Sequence, residues 1–260
     1  MNFKSKLVLA LLATSSAAFA QTAPAAAAPE VTYNVGVVSQ YRYRGLAQTK
    51  GDAALQGGVD YANASGFYAG AWGSTIKWIK DAGTVGETQV KGPVELDIYG
   101  GYKFEAAGVA YDVGFLRYEY LGNTLKNTMA NTNKYGNANT SEVYGSATYS
   151  VATLKYSDSL TNLFGNLNSK HSTYWDLSAT FDLGSGYTLV PHIGRQTVKN
   201  SSALSYTDKA LTLNKDLGDG LSASVSAITT SGKGQSAFAS YLTSYDAAKD
   251  AVVVGVKYAF

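Results

Sequence analysis

Charged side chains that alternate with apolar ones are the residues of this chain that could do chemistry. Within 94–104, Glu95, Asp97 and Lys103 lie on one parity, while the opposite parity is apolar. Successive side chains of a strand point to opposite faces, so such charges would share one surface. There they can bind a charged solute or set the field that it crosses. The full set on this parity is Arg42, Arg44, Asp60, Glu95, Asp97, Lys103, Arg117, Glu119, Asp176, Asp182 and Lys257.

Two arginines, Arg42 and Arg44, are the strongest individual candidates, because a guanidinium group holds carboxylates and phosphates with two hydrogen bonds. We expect them near the end of their strand, where a solute would enter. The alternative is that the charges of the set pair with one another, fill the interior and hold it shut. The sequence favours an open, selective interior and an occluded one about equally.

Catalysis has little support in the sequence. The chain has no cysteine, which excludes thiolate metal sites, and its two histidines, His171 and His192, lack the spacing of metal ligands. No Gly-x-Ser-x-Gly element occurs. His192 shares parity with Thr188 and Gln196, so an interior structural position is favoured over a general base. We therefore predict no catalytic residue, no metal and no cofactor.

Residues 1–20 have the features of a secretory signal peptide: two early lysines, an apolar run from Leu7 to Ala13, and an Ala-x-Ala site that ends at Ala20. The apolar run is too short to span a membrane. Residues 21–30 are interpreted as a short flexible leader. Removal of 1–20 takes away two lysines and no acid, which leaves 19 basic and 19 acidic residues. A nucleic-acid partner therefore has no electrostatic support.

Alternation with period 2 predicts an all-β chain of about twelve strands, which form one antiparallel up-and-down barrel over 31–260. A strand that crosses a membrane needs only about 9–11 residues, so a transmembrane barrel fits segments of this length. No strong turn former separates the two strands that meet at Ser150. The predicted strands are 31–45, 53–61, 67–76, 94–104, 109–121, 141–149, 151–157, 172–183, 187–197, 206–216, 221–230 and 251–260.

The connections between these strands alternate in length. Connections after even-numbered strands are short, and those after odd-numbered strands are mostly long and polar. This rhythm is typical of a bacterial outer-membrane barrel with short periplasmic turns and long extracellular loops. An even strand count places both termini in the periplasm. The loops 77–93 and 122–140 are the ones predicted to fold inward, if any loop does.

The last strand, Ala251–Phe260, has a large apolar face made by Val252, Val254, Val256, Tyr258 and Phe260. An aromatic terminus with this alternation resembles the terminal strand of bacterial outer-membrane barrels. The resemblance implies that Tyr258 and Phe260 serve as the signal for the barrel-assembly machinery. It also implies that outer-membrane lipid surrounds the wall.

Several blocks of the first hundred residues resemble the TorF-like family, a proteobacterial family of candidate porins. The blocks are Ser39-Gln-Tyr-Arg-Tyr-Arg-Gly45, Leu55-Gln-Gly-Gly-Val-Asp-Tyr61, Gly66-Phe-Tyr-Ala-Gly-Ala-Trp72 and Val94-Glu-Leu-Asp-Ile-Tyr-Gly-Gly-Tyr102. They span about a third of the mature chain. The resemblance implies a passive outer-membrane channel.

These features together predict a porin-like channel in the bacterial outer membrane, through which small hydrophilic solutes diffuse past a charged constriction. The first alternative is a non-conducting barrel that has a structural role or binds a partner. A less favoured alternative is a barrel enzyme that acts on lipid through His192. The sequence indicates neither the solute nor the oligomeric state.

Overall fold

The computed structural model describes residues 30–81, 91–127, 135–232 and 246–260. The predicted signal peptide lies outside these residues, as does the predicted leader apart from Glu30. The strands are β1 (Glu30–Val38), β2 (Arg42–Tyr43), β3 (Leu46–Ala47), β4 (Ala54–Ala62), β5 (Phe67–Thr75), β6 (Val94–Ala106), β7 (Val109–Tyr120), β8 (Thr140–Tyr149), β9 (Ala152–Ser159), β10 (Thr173–Ala179), β11 (Phe181–Gly184), β12 (Tyr187–Thr197), β13 (Tyr206–Gly218), β14 (Leu221–Ser231) and β15 (Ala251–Ala259). One short α-helix, α1 (Trp78–Asp81), and three 3-10 turns at 125–127, 163–165 and 202–204 lie between strands. None of the helices in the described ranges is long and apolar enough to cross a membrane.

The wall is a closed antiparallel barrel of twelve strands, which confirms the predicted fold class. Every wall strand pairs with its neighbours along the chain, and the β1–β15 pair closes the two ends of the sequence onto each other. β10 and β11 act as one wall strand that is interrupted at Thr180, and both pair with β12. The hairpin β2–β3 is not part of the wall.

Most predicted strand limits agree with the structure to within two residues. β12 matches its prediction, and Tyr149 pairs with Ala152 across a two-residue turn, so the two strands that meet at Ser150 are separate. The first strand is the exception. It was predicted to continue to Gly45 but ends at Val38, because the chain leaves the wall there and turns inward.

The two ends of the barrel differ, as the connection lengths predicted. Five turns lie at one end, here called the turn end, at 63–66, 107–108, 150–151, 185–186 and 219–220. Both ends of the barrel sequence, Glu30 and Phe260, lie at this end too. The longer connections lie at the opposite end, here called the loop end. Parts of the connections 76–93, 121–139 and 232–250 lie outside the described residues.

The outer face of the wall is apolar and the inner face is polar. Along β15, Val252, Val254, Val256 and Tyr258 are exposed, whereas Val253 and Lys257 are buried. The same alternation runs through the other wall strands. Exposed apolar side chains of the outer face include Val31, Val35, Leu55, Ile98, Val113, Phe115, Leu154, Leu177, Leu211 and Val225.

The seam between β1 and β15 is fastened at the turn end by the chain terminus. The backbone N–H of Tyr33 donates to the carbonyl of Phe260 (2.8 Å), and the N–H of Phe260 donates back to Tyr33 (2.9 Å). The ring of Phe260 stacks on Tyr33 and on Tyr258, with ring centroids 5.8 and 5.5 Å apart. The terminal residue therefore completes a hydrogen-bonded ladder and an aromatic cluster.

Candidate functional site: the lumen and its inward hairpin

The hairpin β2–β3 has a tight turn at its tip. Arg42 pairs with Ala47 and Tyr43 with Leu46, which leaves Arg44 and Gly45 as the two turn residues. Both have positive φ, 45° for Arg44 and 78° for Gly45. Positive φ at both central residues characterises the type I′ turn, which favours glycine at the second position. An added Cβ at Gly45 would overlap Thr230 Oγ1 and Asp208 Cβ.

The contacts of this hairpin place it inside the barrel. Tyr41 Oη donates to Glu95 on β6 (2.7 Å), and Arg44 binds Glu142 on β8 and Gln196 on β12. The tip at Gly45 lies against β13 and β14. One short segment reaches these strands from different sides of the wall only if it crosses the lumen. The inward segment is thus 39–53, which was not among the loops predicted to fold inward.

Arg44 is held by a bidentate ion pair in the interior. Its two terminal nitrogens donate to Glu142 Oε1 and Oε2 at 3.0 and 2.7 Å, and Nη1 also donates to Gln196 Oε1 at 2.9 Å. Both charged side chains are only 2% exposed. The guanidinium carbon lies 4.2 Å from the ring centroid of Tyr174 and 4.9 Å from that of Tyr43. Charge-assisted hydrogen bonds and stacking therefore fix the hairpin tip in one position.

Arg42 stabilises the hairpin itself. Its Nη1 donates to the carbonyls of Gly45 (3.1 Å) and Ala247 (2.9 Å), and its Nε donates to Gln40 Oε1 (2.9 Å). Arg42 therefore joins the hairpin to the connection before β15.

An apolar cluster covers the hairpin at the loop end. Its buried members from the wall and hairpin include Tyr41, Tyr43, Leu116, Tyr118 and Tyr120. The connections contribute Ile79, Leu125 and Ala138, and Phe164 packs on Tyr43 with ring centroids 5.5 Å apart. The described parts of 77–93 and 122–140 thus pack over the hairpin; 82–90 and 128–134 lie outside the described residues.

A hydrogen bond next to this cluster joins the connection after β5 to the inward segment 39–53. Lys77 Nζ donates to the Asp52 carboxylate at the exposed rim. This hydrogen bond raises the pKa of Lys77 above its ordinary value. Exposed pairs of this kind contribute little to stability, so the rim is held mainly by the apolar cluster.

The lumen wall carries a row of charges of alternating sign. Cross-strand pairing places Lys103 beside Asp112, Asp112 beside Ser146, Ser146 beside Lys155, and Lys155 beside Asp176. Tyrosines accompany the row. Lys155 Nζ lies 4.1 Å from the ring centroid of Tyr144, Tyr68 Oη donates to Asp112 (2.6 Å), and Tyr99 Oη donates to Asp60 (2.5 Å). The lumen thus offers both charge signs and hydroxyl groups to a solute.

His192 lies in the lumen between two aspartates. Its Nε2 is 2.8 Å from Asp176 Oδ2, and its Nδ1 is 3.5 Å from Asp208 Oδ2. Tyr174 Oη donates to both carboxylate oxygens of Asp208, at 3.0 and 3.2 Å. This network connects His192 to the hairpin, because the guanidinium group of Arg44 stacks on the ring of Tyr174.

The structure distributes the predicted site residues over four places: the lumen wall, the hairpin, the mouth of the turn end and the outer face. Asp60, Glu95, Asp97, Lys103, Asp176 and Lys257 face the lumen, and Arg42 and Arg44 lie on the hairpin within it. Asp182 is exposed at the mouth of the turn end, where its carboxylate accepts from the Gly184 N–H (2.8 Å).

The predicted lumen positions of Arg117 and Glu119 are wrong. They share parity with Val113, Phe115 and Leu121, which are exposed on the outer face. The two side chains form an ion pair on that face, with Arg117 Nη2 2.9 Å from Glu119 Oε2. Leu116, Tyr118 and Tyr120 take the inward positions of β7 at this level. The prediction failed because large residues occupy both parities of this strand, so the alternation does not show which face is inward.

Several charged lumen residues escaped the sequence analysis: Asp112, Glu142, Lys155 and Asp208. Asp112 alternates with Tyr111 and Val113, and Lys155 with Leu154, so period 2 could have found both. Glu142 has a weaker signal because it follows Ser141 at the start of a strand. Its partner Arg44 is distant in sequence, so only the fold reveals the pair.

The chain is thus a closed twelve-strand barrel with an apolar outer face and a polar lumen that an inward hairpin crosses. The family model of a bacterial protein family of unknown function, Gcw_chp, matches residues 22–260, and the chain belongs to that family. No curated protein matches the chain.

Solved porins have the same fold at low sequence identity. The KdgM porin in complex with disordered oligogalacturonate aligns with a TM-score of 0.53 and 10% identity, covering 88% of this chain and 98% of KdgM. The NanC porin in a rhombohedral crystal form aligns with a TM-score of 0.51 and 11% identity, covering 88% of this chain and 99% of NanC. At these identities the likeness establishes the fold.

Proposed function

We propose that this protein is an outer-membrane channel for the passive diffusion of small hydrophilic solutes. The observation that carries the proposal is the inversion of the two faces: the outer face is apolar, and the lumen holds charges, hydroxyls and tyrosines. A soluble barrel would hydrate its outside, whereas lipid around the wall requires this arrangement.

The proposed location follows from three features. A predicted signal peptide exports the chain, the aromatic terminus at Tyr258 and Phe260 engages the barrel-assembly machinery, and outer-membrane lipid contacts the apolar band. The resemblance to the TorF-like family of candidate porins stays a prediction. It agrees with the shared fold of KdgM, which was solved with an oligogalacturonate.

The inward hairpin forms the constriction in this proposal. A solute that enters at the loop end passes the segment 39–53 and then meets the row of Lys103, Asp112, Lys155 and Asp176. The constriction is charged, but Arg44 is neutralised by Glu142. The field that a solute meets is therefore set by the remaining lumen charges.

A non-conducting barrel is the second candidate, and the buried apolar cluster at the loop end favours it. The side chains of Ile79, Leu125 and Ala138 are fully buried over the hairpin. A cluster this closely packed would exclude water, and the loops would then serve to bind a partner or stiffen the wall.

An enzyme that acts on lipid is disfavoured by the position of His192. Its imidazole faces the lumen and is engaged by Asp176, so it is separated from the lipid-facing side by the wall. We infer a non-enzymatic barrel. Lipid turnover by the purified protein that disappears in the His192→Ala variant would contradict this inference.

The channel is tested by planar-bilayer conductance and liposome swelling with a panel of organic anions and cations. A matched variant replaces 40–49 with a short Gly-Ser linker and removes the constriction. We expect the wild type to conduct and the variant to conduct more. If the folded wild type conducts nothing and the linker variant conducts strongly, the non-conducting candidate holds.

A further inference from the structure

Two carboxylates lie side by side on the lumen face of β6. Glu95 and Asp97 are separated by one outward residue, so their Cα atoms are about 7 Å apart. Glu95 is 1% exposed and Asp97 is 9% exposed. Both lie on the loop-end half of the strand, at the level where Tyr41 of the inward segment contacts the wall.

Neither carboxylate has a basic partner within the described ranges. The ion pairs of the described residues join other side chains, and Arg44 binds Glu142. Glu95 accepts a hydrogen bond from Tyr41 Oη at 2.7 Å, and the Tyr120 hydroxyl also hydrogen-bonds to it. Asp97 Oδ1 is buried without any hydrogen-bond partner. A buried carboxylate without compensation is strongly unfavourable, so this site is built for a positive charge that the protein does not itself supply.

Aromatic rings surround the two carboxylates. Cross-strand pairing places Trp72 and Tyr118 on either side of Asp97, and Tyr120 beside Glu95. The ring of Tyr41 packs edge-on against Trp72, with centroids 5.5 Å apart. Aromatic faces attract cations, and this attraction is strongest where water is excluded.

The donor set fits an organic ammonium group better than a metal ion. A metal site needs several oxygen or nitrogen ligands that converge, and the described residues contain no cluster of three or more such side chains. Two carboxylates within a set of tyrosine and tryptophan rings match a compact cation that carries apolar substituents.

We propose that Glu95, Asp97 and the surrounding rings of Tyr41, Trp72 and Tyr118 bind the ammonium group of a small organic cation. For its role the site rests on the proposed channel function, since the ligand would be a solute that moves through the lumen. Such a site would make the constriction selective for cations. The sequence analysis had instead singled out the two arginines of the hairpin, which bind anions.

The test is a calorimetric titration of the purified, folded full-length barrel in detergent with tetramethylammonium chloride, against sodium chloride at equal ionic strength. We expect saturable binding of tetramethylammonium by the wild type. Asp97→Asn keeps the shape of the side chain and removes its charge, so it should weaken binding about tenfold. The matched control is Asp60→Asn, which removes another lumen carboxylate away from the rings and should leave binding unchanged.

A second variant protects the test against a folding defect in Asp97→Asn. Trp72→Leu keeps both carboxylates and removes one aromatic face, and it should weaken binding about fivefold. The proposal is overturned if the wild type shows no saturable binding, as expected where a proton alone neutralises the pair. It is also overturned if Asp60→Asn weakens binding as much as Asp97→Asn.

Bilayer conductance separates this inference from the proposed function. If the barrel binds tetramethylammonium but passes no current, the binding site is supported and the channel function is contradicted. If the barrel conducts but binds no tetramethylammonium, the channel function is supported and the binding site is contradicted. In a potassium chloride gradient, we expect a cation-selective reversal potential that moves toward zero in Asp97→Asn; an anion-selective wild type would contradict the proposal.

Discussion

Glu142 has the clearest role of any single residue, because it neutralises a buried arginine. Its carboxylate holds Arg44 with two hydrogen bonds, and both side chains are shielded from water. Removal of one partner leaves an uncompensated buried charge, which destabilises by about 3–5 kcal/mol. The pair is therefore the contact of the hairpin whose loss should cost the most stability.

We predict that Glu142→Gln lowers the free energy of unfolding by about that amount, about 3–5 kcal/mol. Urea unfolding of the refolded barrel in lipid vesicles measures the loss. Glu105→Gln, at an exposed site next to a turn, is the matched control and should have little effect. The double variant Arg44→Met with Glu142→Leu should recover most of the loss. A loss for Glu142→Gln no larger than that for Glu105→Gln would argue against the pair.

Gly45 has a steric role at the same place. Its φ of 78° favours glycine, and a side chain there would overlap Thr230 and Asp208. We predict that Gly45→Ala displaces the hairpin tip and raises single-channel conductance. Gly184→Ala is the matched control, since Gly184 has a φ of 80° with no atom near its Cβ position. Equal conductance in the two variants would show that the tip does not restrict the lumen.

At the scale of elements, the sequence predicted the twelve wall strands well, because the two faces of each strand differ in polarity. Outward-facing and lumen-facing side chains repeat with period 2, and turns such as Asp219-Gly220 interrupt them. The inward hairpin was missed for a physical reason. Residues 39–45 continue the alternation of aromatic and polar side chains, so nothing in the period marks the departure from the wall.

One local signal could have revealed the hairpin. The pair Arg44-Gly45 adopts the same two positive φ values as the wall turns Ala107-Gly108, Ser185-Gly186 and Asp219-Gly220. A residue followed by glycine inside an apparent strand is thus a candidate turn. The outward placement of Arg117 and Glu119 could not have been read in this way, because both parities of β7 carry large side chains.

For the terminal strand, β15, we predict a role in assembly that differs from its role in the finished wall. Deletion of Phe260 removes two backbone hydrogen bonds to Tyr33 and a stacked ring at the end of the seam. We predict that the deletion sharply reduces the amount of heat-modifiable barrel in the outer membrane, while the few assembled molecules conduct normally. Phe67→Ala, which removes another exposed aromatic residue, is the control. Normal abundance of the deletion variant would contradict the assembly role.

For the whole molecule, the closed barrel fixes which residues would lie on each side of the membrane in the proposed location. Glu30, Phe260 and the five short turns lie at one end, and the connections that cover the hairpin lie at the other. In the proposed location, export of the chain and recognition of its terminal strand from the periplasm would leave the turn end on the periplasmic side. The loop end would then face the exterior, and the hairpin would narrow the lumen at the end where solutes enter.

The absence of cysteine from the sequence makes this orientation testable by single substitutions. Ser202→Cys introduces a thiol at an exposed position of a loop-end connection, and Ala64→Cys introduces one in the exposed turn between β4 and β5. In intact cells, a maleimide reagent too large to cross the outer membrane should label Ser202→Cys. It should label Ala64→Cys only after the outer membrane is permeabilised. Labelling of Ala64→Cys alone in intact cells would show the opposite orientation. The hairpin would then lie at the periplasmic mouth, where it could not control entry from outside.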